Sequence, residues 1–93
     1  MHKAQGLTVF ACCEKELLGK TLEDEKFRVK ISESFFGGKE MGEEKVRRML
    51  HEADSANLFG ETPVRIALEK KIAGERDVIK IKGVPHLQIY RLR

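Results

Sequence analysis

Two cysteines, two prolines and no tryptophan stand among the 93 residues of this chain, and tyrosine occurs once. So little cysteine and proline excludes a disulfide framework or a collagen-like strand. The cysteines are neighbours, Cys12 and Cys13, and a bond between them would close a strained eight-membered ring, so no structural disulfide is expected. Long apolar runs are also missing: nothing approaches the roughly 18–20 residues that cross a bilayer. Met1 to Gly6 lack the apolar stretch and small-residue cleavage site of a signal peptide. A soluble, cytoplasmic protein with no membrane partner is the expectation.

What is present is a balanced, dense mixture. Hydrophobic residues at 41% and charged residues at 35% exclude intrinsic disorder, which needs few apolar groups and a large net charge. The length fits one domain over residues 1–93. Such a chain buries only about 60–65% of its unfolded surface, so its stability is marginal or assisted by oligomerisation. Abundant Lys, Arg and Glu without Trp suit a thermophile, because the cost of desolvating ion pairs falls with heat.

Net charge is +3, too small to demand a polyanion, but it is unevenly spread. Residues 1–22 carry +1, residues 23–46 carry −2, residues 47–75 are neutral, and residues 76–93 carry +4. The excess comes from Arg76, Lys80, Lys82, Arg91 and Arg93 against Asp77 alone. A cluster of this kind binds phosphate or merely protects a strand edge.

Periodicity supplies the elements. Leu7 to Cys12 reads as a strand, rich in β-branched and aromatic residues. Glu14 to Gly19 reads as one helical turn closed by glycine, and Glu23-Asp24-Glu25 as an acidic turn. Phe27, Val29 and Ile31 alternate with polar residues as in a half-buried strand, and Phe35-Phe36-Gly37-Gly38-Lys39 ends it as a loop. Val46, Met49, Leu50 and Ala53 lie on one face of a helix predicted from Glu43 to about Ala56. Leu58-Phe59-Gly60 reads as a connector. Thr62-Pro63 then signals a helix with Thr62 as N-cap, Val64, Ala67, Leu68 and Ile72 as its stripe, and Gly74 as its C-terminal cap. Strands follow over Val78 to Lys82 and Leu87 to Arg91, separated by Gly83-Val84-Pro85-His86. The predicted fold is α+β: about four strands in order ββααββ, with two helices packed on one face of the sheet.

Chemical motifs are sparse. Leu18-Gly19-Lys20-Thr21 suggests a phosphate-binding loop, but that motif needs glycine where Glu14 stands. Ser32, Ser34 and Ser55 lack a nucleophile elbow, and Cys12 or Cys13 reaches His86 only if the fold joins them. A catalytic His86 would require a concave pocket with a second polar group of shifted pKa. Contiguous Glu23, Asp24 and Glu25 lack the spacing of a calcium loop, and His2, His51 and His86 are too scattered for zinc. The amides opening the helix after Gly60 can receive an anion, weakened by Glu61 and Pro63. Phe35 and Phe36 either stack bases or fill the core. No catalytic residue, metal or cofactor is assigned.

Four ordered blocks carry a resemblance. They are Cys13-Glu14-Lys15-Glu16-Leu17-Leu18-Gly19-Lys20-Thr21, then Ser32-Glu33-Ser34-Phe35-Phe36-Gly37-Gly38, then Ala56-Asn57-Leu58-Phe59-Gly60, and finally Ile81 to Ile89. In this order they resemble the archaeal DUF424 family over nearly the whole chain. The resemblance implies an archaeal cytoplasmic protein and brings no catalytic residues.

The block Gly83-Val84-Pro85-His86-x-Gln88 is the most site-like, because His86 and Gln88 fall on one strand face. The expected function is a small binding module in archaeal information processing, with RNA or a ribonucleoprotein as partner. Lys80, Lys82, Arg91 and Arg93 would meet phosphates, and His86 and Gln88 would supply hydrogen bonds. The alternative is a structural or protein-interaction subunit, a homodimer or hetero-oligomer formed through a sheet face or the last strand.

Overall fold

The computed structural model describes residues 2–4, 6–36 and 42–90. Strands β1 (His2–Ala4) and β2 (Leu7–Cys13) form an antiparallel ribbon, and a 3-10 turn at Lys15–Leu17 leads to the hairpin β3 (Thr21–Glu23) and β4 (Arg28–Lys30). Helix α1 (Glu33–Phe36) is a single turn, and α2 (Glu43–Glu52) follows. Strand β5 (Ser55–Phe59) is followed by α3 (Glu61–Glu69), a 3-10 turn at Glu75–Asp77, and the hairpin β6 (Ile79–Ile81) and β7 (Val84–Tyr90). The main sheet runs β1-β2-β5-β7-β6, and only the β2–β5 pair is parallel.

The class is α+β, with α2 and α3 on one face of the main sheet, but the predicted strand order is incomplete. The supposed connector at Leu58-Phe59 belongs to β5, a central strand of the sheet. Its composition hides it, since Ser, Ala and Asn are weak strand formers. Ala56 and Leu58 point to the helices and Phe59 to the other side, where Ser55 and Asn57 are half-buried. The adjacent apolar Leu58 and Phe59, both buried, break the alternation that Ser55-Ala56-Asn57 begins. The predicted helix to Ala56 accordingly stops at Glu52, and Asp54 turns the chain into β5. Thr8 N–H donates to Asp54 Oδ2 at 2.8 Å and Asp54 N–H to the Thr8 carbonyl at 3.0 Å, which sets the parallel register. Thr21–Glu23 and Arg28–Lys30 form a separate two-stranded sheet rather than joining the main one. Phe35 and Phe36 lie in α1, not in a loop, while residues 37–39 of that expected loop fall outside the described residues.

Two cores result. On the helix side Phe10, Ala56, Leu58, Leu87 and Ile89 of the sheet meet Val46, Leu50, Val64, Ile66 and Ala67. On the opposite side Phe59 and Ile81 meet Leu17, Leu22 and Ile31, with the Phe36 ring edge-on to Phe59 at 5.4 Å. Each such side chain contributes about 1.5–3 kcal/mol by leaving water. Across the α2–α3 surface, Glu43, Arg47, Arg65 and Glu69 close a ring of ion pairs, the shortest being Arg47 to Glu69 at 2.7 Å.

Helix α3 starts one residue before Thr62, with Gly60 as N-cap, so the cap assigned to Thr62 is wrong. The capping oxygen comes from elsewhere in the chain: Thr62 N–H donates to Glu14 Oε1 at 2.9 Å. The same Glu14 that breaks the phosphate-loop motif thus supplies the anion at this helix N-terminus. At the other end the left-handed residue is Lys71 (φ 58°), not Gly74. Lys71 N–H bonds the Leu68 carbonyl and Ile72 N–H the Ala67 carbonyl, the paired bonds of a Schellman motif.

Candidate functional site

The last hairpin turns on Lys82 and Gly83, both at positive φ (54° and 80°), which matches a two-residue type I′ connection. Pro85, expected in the turn or at a strand start, is therefore the second residue of β7. Its carbonyl accepts the Gly60 N–H at 2.9 Å on the β5 side, just past the last β5 residue, where its own nitrogen needs no partner. The acidic turn docks against this hairpin. Asp24 accepts from the N–H groups of Lys26, Phe27 and Lys82, and these bonds hold its carboxyl below the usual carboxylate range.

The proposed contact residues do not share one surface. Lys80 pairs across the ladder with Pro85 and sits on the helix-side face, exposed. Lys82 is exposed at the hairpin tip. Neither lysine makes a side-chain ion pair with a described residue. His86 and Gln88 share the opposite face, Gln88 exposed and His86 only 8% exposed. Arg91 and Arg93 lie outside the described residues.

His86 is held from two sides. Its ring stacks on Phe59, its cross-strand neighbour, with centroids 3.9 Å apart and planes 13° from parallel. Its Nδ1 lies 2.9 Å from the Leu58 carbonyl. A carbonyl only accepts, so Nδ1 carries the proton and Nε2 keeps its lone pair. Burial pushes the imidazole pKa below 6.5, which keeps the ring neutral.

Cross-strand register orders the face around it. Cys13, Phe59, His86 and Ile79 form one row; Ala11, Asn57 and Gln88 form the next; Val9, Ser55 and Tyr90 form the third. At the β7 end of these rows Tyr90 is 77% exposed beside exposed Gln88. The chain's lone asparagine, Asn57, sits mid-row with its Oδ1 buried and without a hydrogen-bond partner. Composition and charge had not marked Tyr90 or Asn57. Tyr90 was findable in principle, because it shares the strand parity of His86 and Gln88.

Strand β6 begins only at Ile79, opposite His86, while β7 runs on to Tyr90. The gap beside β7 is a cavity of about 420 Å³ lined by Ile72, Asp77, Ile79, His86, Gln88 and Tyr90, among others. Cys13 lies in the His86 row with Phe59 between them, and Cys12 and Cys13 face the two different cores. Burial, reinforced by Glu14, raises the Cys12 thiol to about 11. Burial, then Cys12 and the nearby carboxylates, raise Cys13 equally to about 11, so neither is a ready nucleophile. Among the described residues no three His, Cys, Asp or Glu side chains gather to hold a metal.

These features define a class: a small α+β protein whose helix-packed mixed sheet leaves an aromatic–amide strip and an edge cavity at β7. The family is narrower. The chain belongs to DUF424, described as "Protein of unknown function (DUF424)", whose pattern matches residues 2–92. It is similar to an uncharacterized conserved protein from Methanopyrus kandleri of known crystal structure. The two share 28% identity and a TM-score of 0.76, over 99% of this chain and 90% of that one. No curated protein matches it. No helix among the described residues is long and apolar enough to cross a membrane.

Proposed function

We propose that this protein is a binding module for single-stranded RNA, without catalysis of its own, acting in archaeal information processing. The observation that carries the reading is Tyr90, an exposed aromatic ring on a strand face, directly beside the amide of Gln88 and in the row next to Asn57. Unpaired bases stack on such rings, and neighbouring amides hydrogen-bond their edges. Lys80 and Lys82, exposed and free of ion pairs with described residues, supply a phosphate-attracting rim on the same hairpin. The reading keeps His86 and Gln88 as hydrogen-bonding groups and adds the ring of Tyr90 to them. It also sets the protein in the cytoplasm of a heat-adapted organism, in keeping with the ion-pair ring on α2 and α3.

Fluorescence anisotropy with labelled single-stranded RNA at a series of KCl concentrations tests it. Tyr90→Ala should weaken binding by about tenfold, the range of one base–aromatic stack. Lys80→Glu with Lys82→Glu should abolish retention at low salt. Unchanged affinity in both variants refutes the reading. A second reading, association of two copies along β7, is favoured by the unpaired strand edge beyond Ile79 and by Leu7 at 57% exposure. Light scattering that gives a salt-insensitive dimer, with no RNA affinity, would support it instead.

A further inference from the structure

Strand alternation fixes what the edge cavity offers. The Pro85 carbonyl faces β5, so the main-chain groups of Leu87 and Ile89 do too, and those of His86 and Gln88 face the β6 side. His86 spends its pair on β6 at Ile79, whereas Gln88 stands where β6 has not yet begun. The chain before β6 instead coils into the 3-10 turn at Glu75–Asp77. The cavity therefore receives the Gln88 main chain, the Tyr90 ring, and aliphatic walls from Ile72 and Ile79.

Two acceptors complete it. His86 lines the cavity with Nδ1 committed to Leu58, which leaves Nε2 as the acceptor of the ring. Asp77 also lines the cavity; its Oδ2 takes the Gly74 N–H at 2.9 Å, which fixes the carboxylate in place and leaves Oδ1 available. The polar set is thus weighted toward acceptors, with donors from Gln88. Arg76, next to Asp77 in the chain, is exposed.

We infer that the cavity at the edge of β7 takes a single unpaired guanine base of an RNA strand. Among the bases, guanine alone presents two adjacent N–H donor groups, N1–H and N2–H₂, beside an acceptor, O6. The donors suit the imidazole Nε2 and the Asp77 carboxylate, and O6 suits a Gln88 donor. Adenine turns a ring acceptor toward the same atoms and leaves a desolvated lone pair opposed to another. The aliphatic walls and the Tyr90 ring cover the base faces. This assignment rests on the RNA reading above and adds its base preference.

The test uses labelled uridine hexamers carrying one central guanosine or one central adenosine. The parent should bind the guanosine hexamer about tenfold more tightly, the scale of one well-matched pair of base contacts. Asp77→Asn keeps an oxygen for Gly74 but exchanges an acceptor for a donor, and should bring the ratio below about twofold while the adenosine hexamer binds as before. Ring-nitrogen NMR gives a readout independent of any variant: the Nε2 signal of His86 should move with the guanosine hexamer and not with the adenosine one. Equal affinity for the two hexamers, or an Nε2 signal unmoved at saturation, overturns the guanine site and leaves the RNA reading standing. Binding to neither hexamer removes both.

Discussion

Gly60 is the residue on which β5, α3 and β7 converge, and its replacement by alanine has a cost that can be worked out. Its backbone sits at φ 107° and ψ 163°, a region essentially confined to glycine, where another residue costs of order 1–3 kcal/mol. A Cβ added there lies 2.7 Å from Glu14 Cγ and 3.0 Å from its carboxyl carbon and Oε1. Cγ is not the free end of that side chain, so Glu14 must move and release Thr62 N–H. Losing a helix cap costs about 0.5–2 kcal/mol. Together Gly60→Ala should destabilise by about 2–4 kcal/mol, out of a total of about 5–15. The melting temperature should fall by roughly 10–25 °C at this size. Urea unfolding of the parent, Gly60→Ala, Glu14→Ala and the double variant separates the two contributions. With Glu14 already truncated, alanine at 60 meets only the backbone strain, so the double variant should be more stable than the two single costs predict. An equal cost of Gly60→Ala in both backgrounds, or a cost below about 1 kcal/mol, refutes the steric and capping argument.

Lys71 at φ 58° is an L-residue in a conformation that costs about 1–2 kcal/mol, so Lys71→Gly should stabilise by about 0.5–1 kcal/mol after the greater chain freedom of glycine is counted. Thermal melting checks the sign, and a lower melting temperature overturns it. His86 should make the protein acid-sensitive. Its pKa is lowered on folding, so the unfolded chain takes up the proton first as pH falls through about 6.5; stability is complete above that value and declines below it until the folded ring also titrates. Urea midpoints between pH 7.5 and 5 should show this decline, and His86→Phe should flatten it while costing about 0.5–1.5 kcal/mol for the lost Nδ1–H bond to the Leu58 carbonyl. An identical slope in the variant would show that the decline comes from other groups.

Elements with a solvent side were legible in the sequence. The stripe Val46, Met49, Leu50 and Ala53 packs as its spacing requires, and so do Val64, Ala67 and Leu68, whereas Ile72 packs from beyond the end of α3. In both, polar residues between apolar ones report which side faces water. Ile66, fully buried in α3, lies off the main stripe and escapes its period. Strand β5 was hidden for another reason: Ser, Ala and Asn are weak strand formers, and the short alternation they begin is broken by the adjacent buried Leu58 and Phe59. Helix ends failed where the partner was remote, since no local pattern around Thr62 announces a carboxylate 48 positions away.

The same logic explains why the site was half visible. Glycine, proline and histidine in succession marked the β6–β7 hairpin correctly as unusual. Local chemistry, however, cannot tell a histidine offered to solvent from one stacked on Phe59, because Phe59 reaches His86 only through the pairing of β5 with β7. Charge misled in a related way. Lys80 and His86 are close in the chain, yet β-strand alternation sends Lys80 to the helix side and His86 to the other. Whatever binds this hairpin on the His86 face meets a neutral imidazole, two amides and a phenol before it meets a lysine. Base or side-chain chemistry must therefore contribute more to selectivity there than phosphate attraction does. Specificity that persists when salt has screened the lysines is the behaviour this arrangement requires.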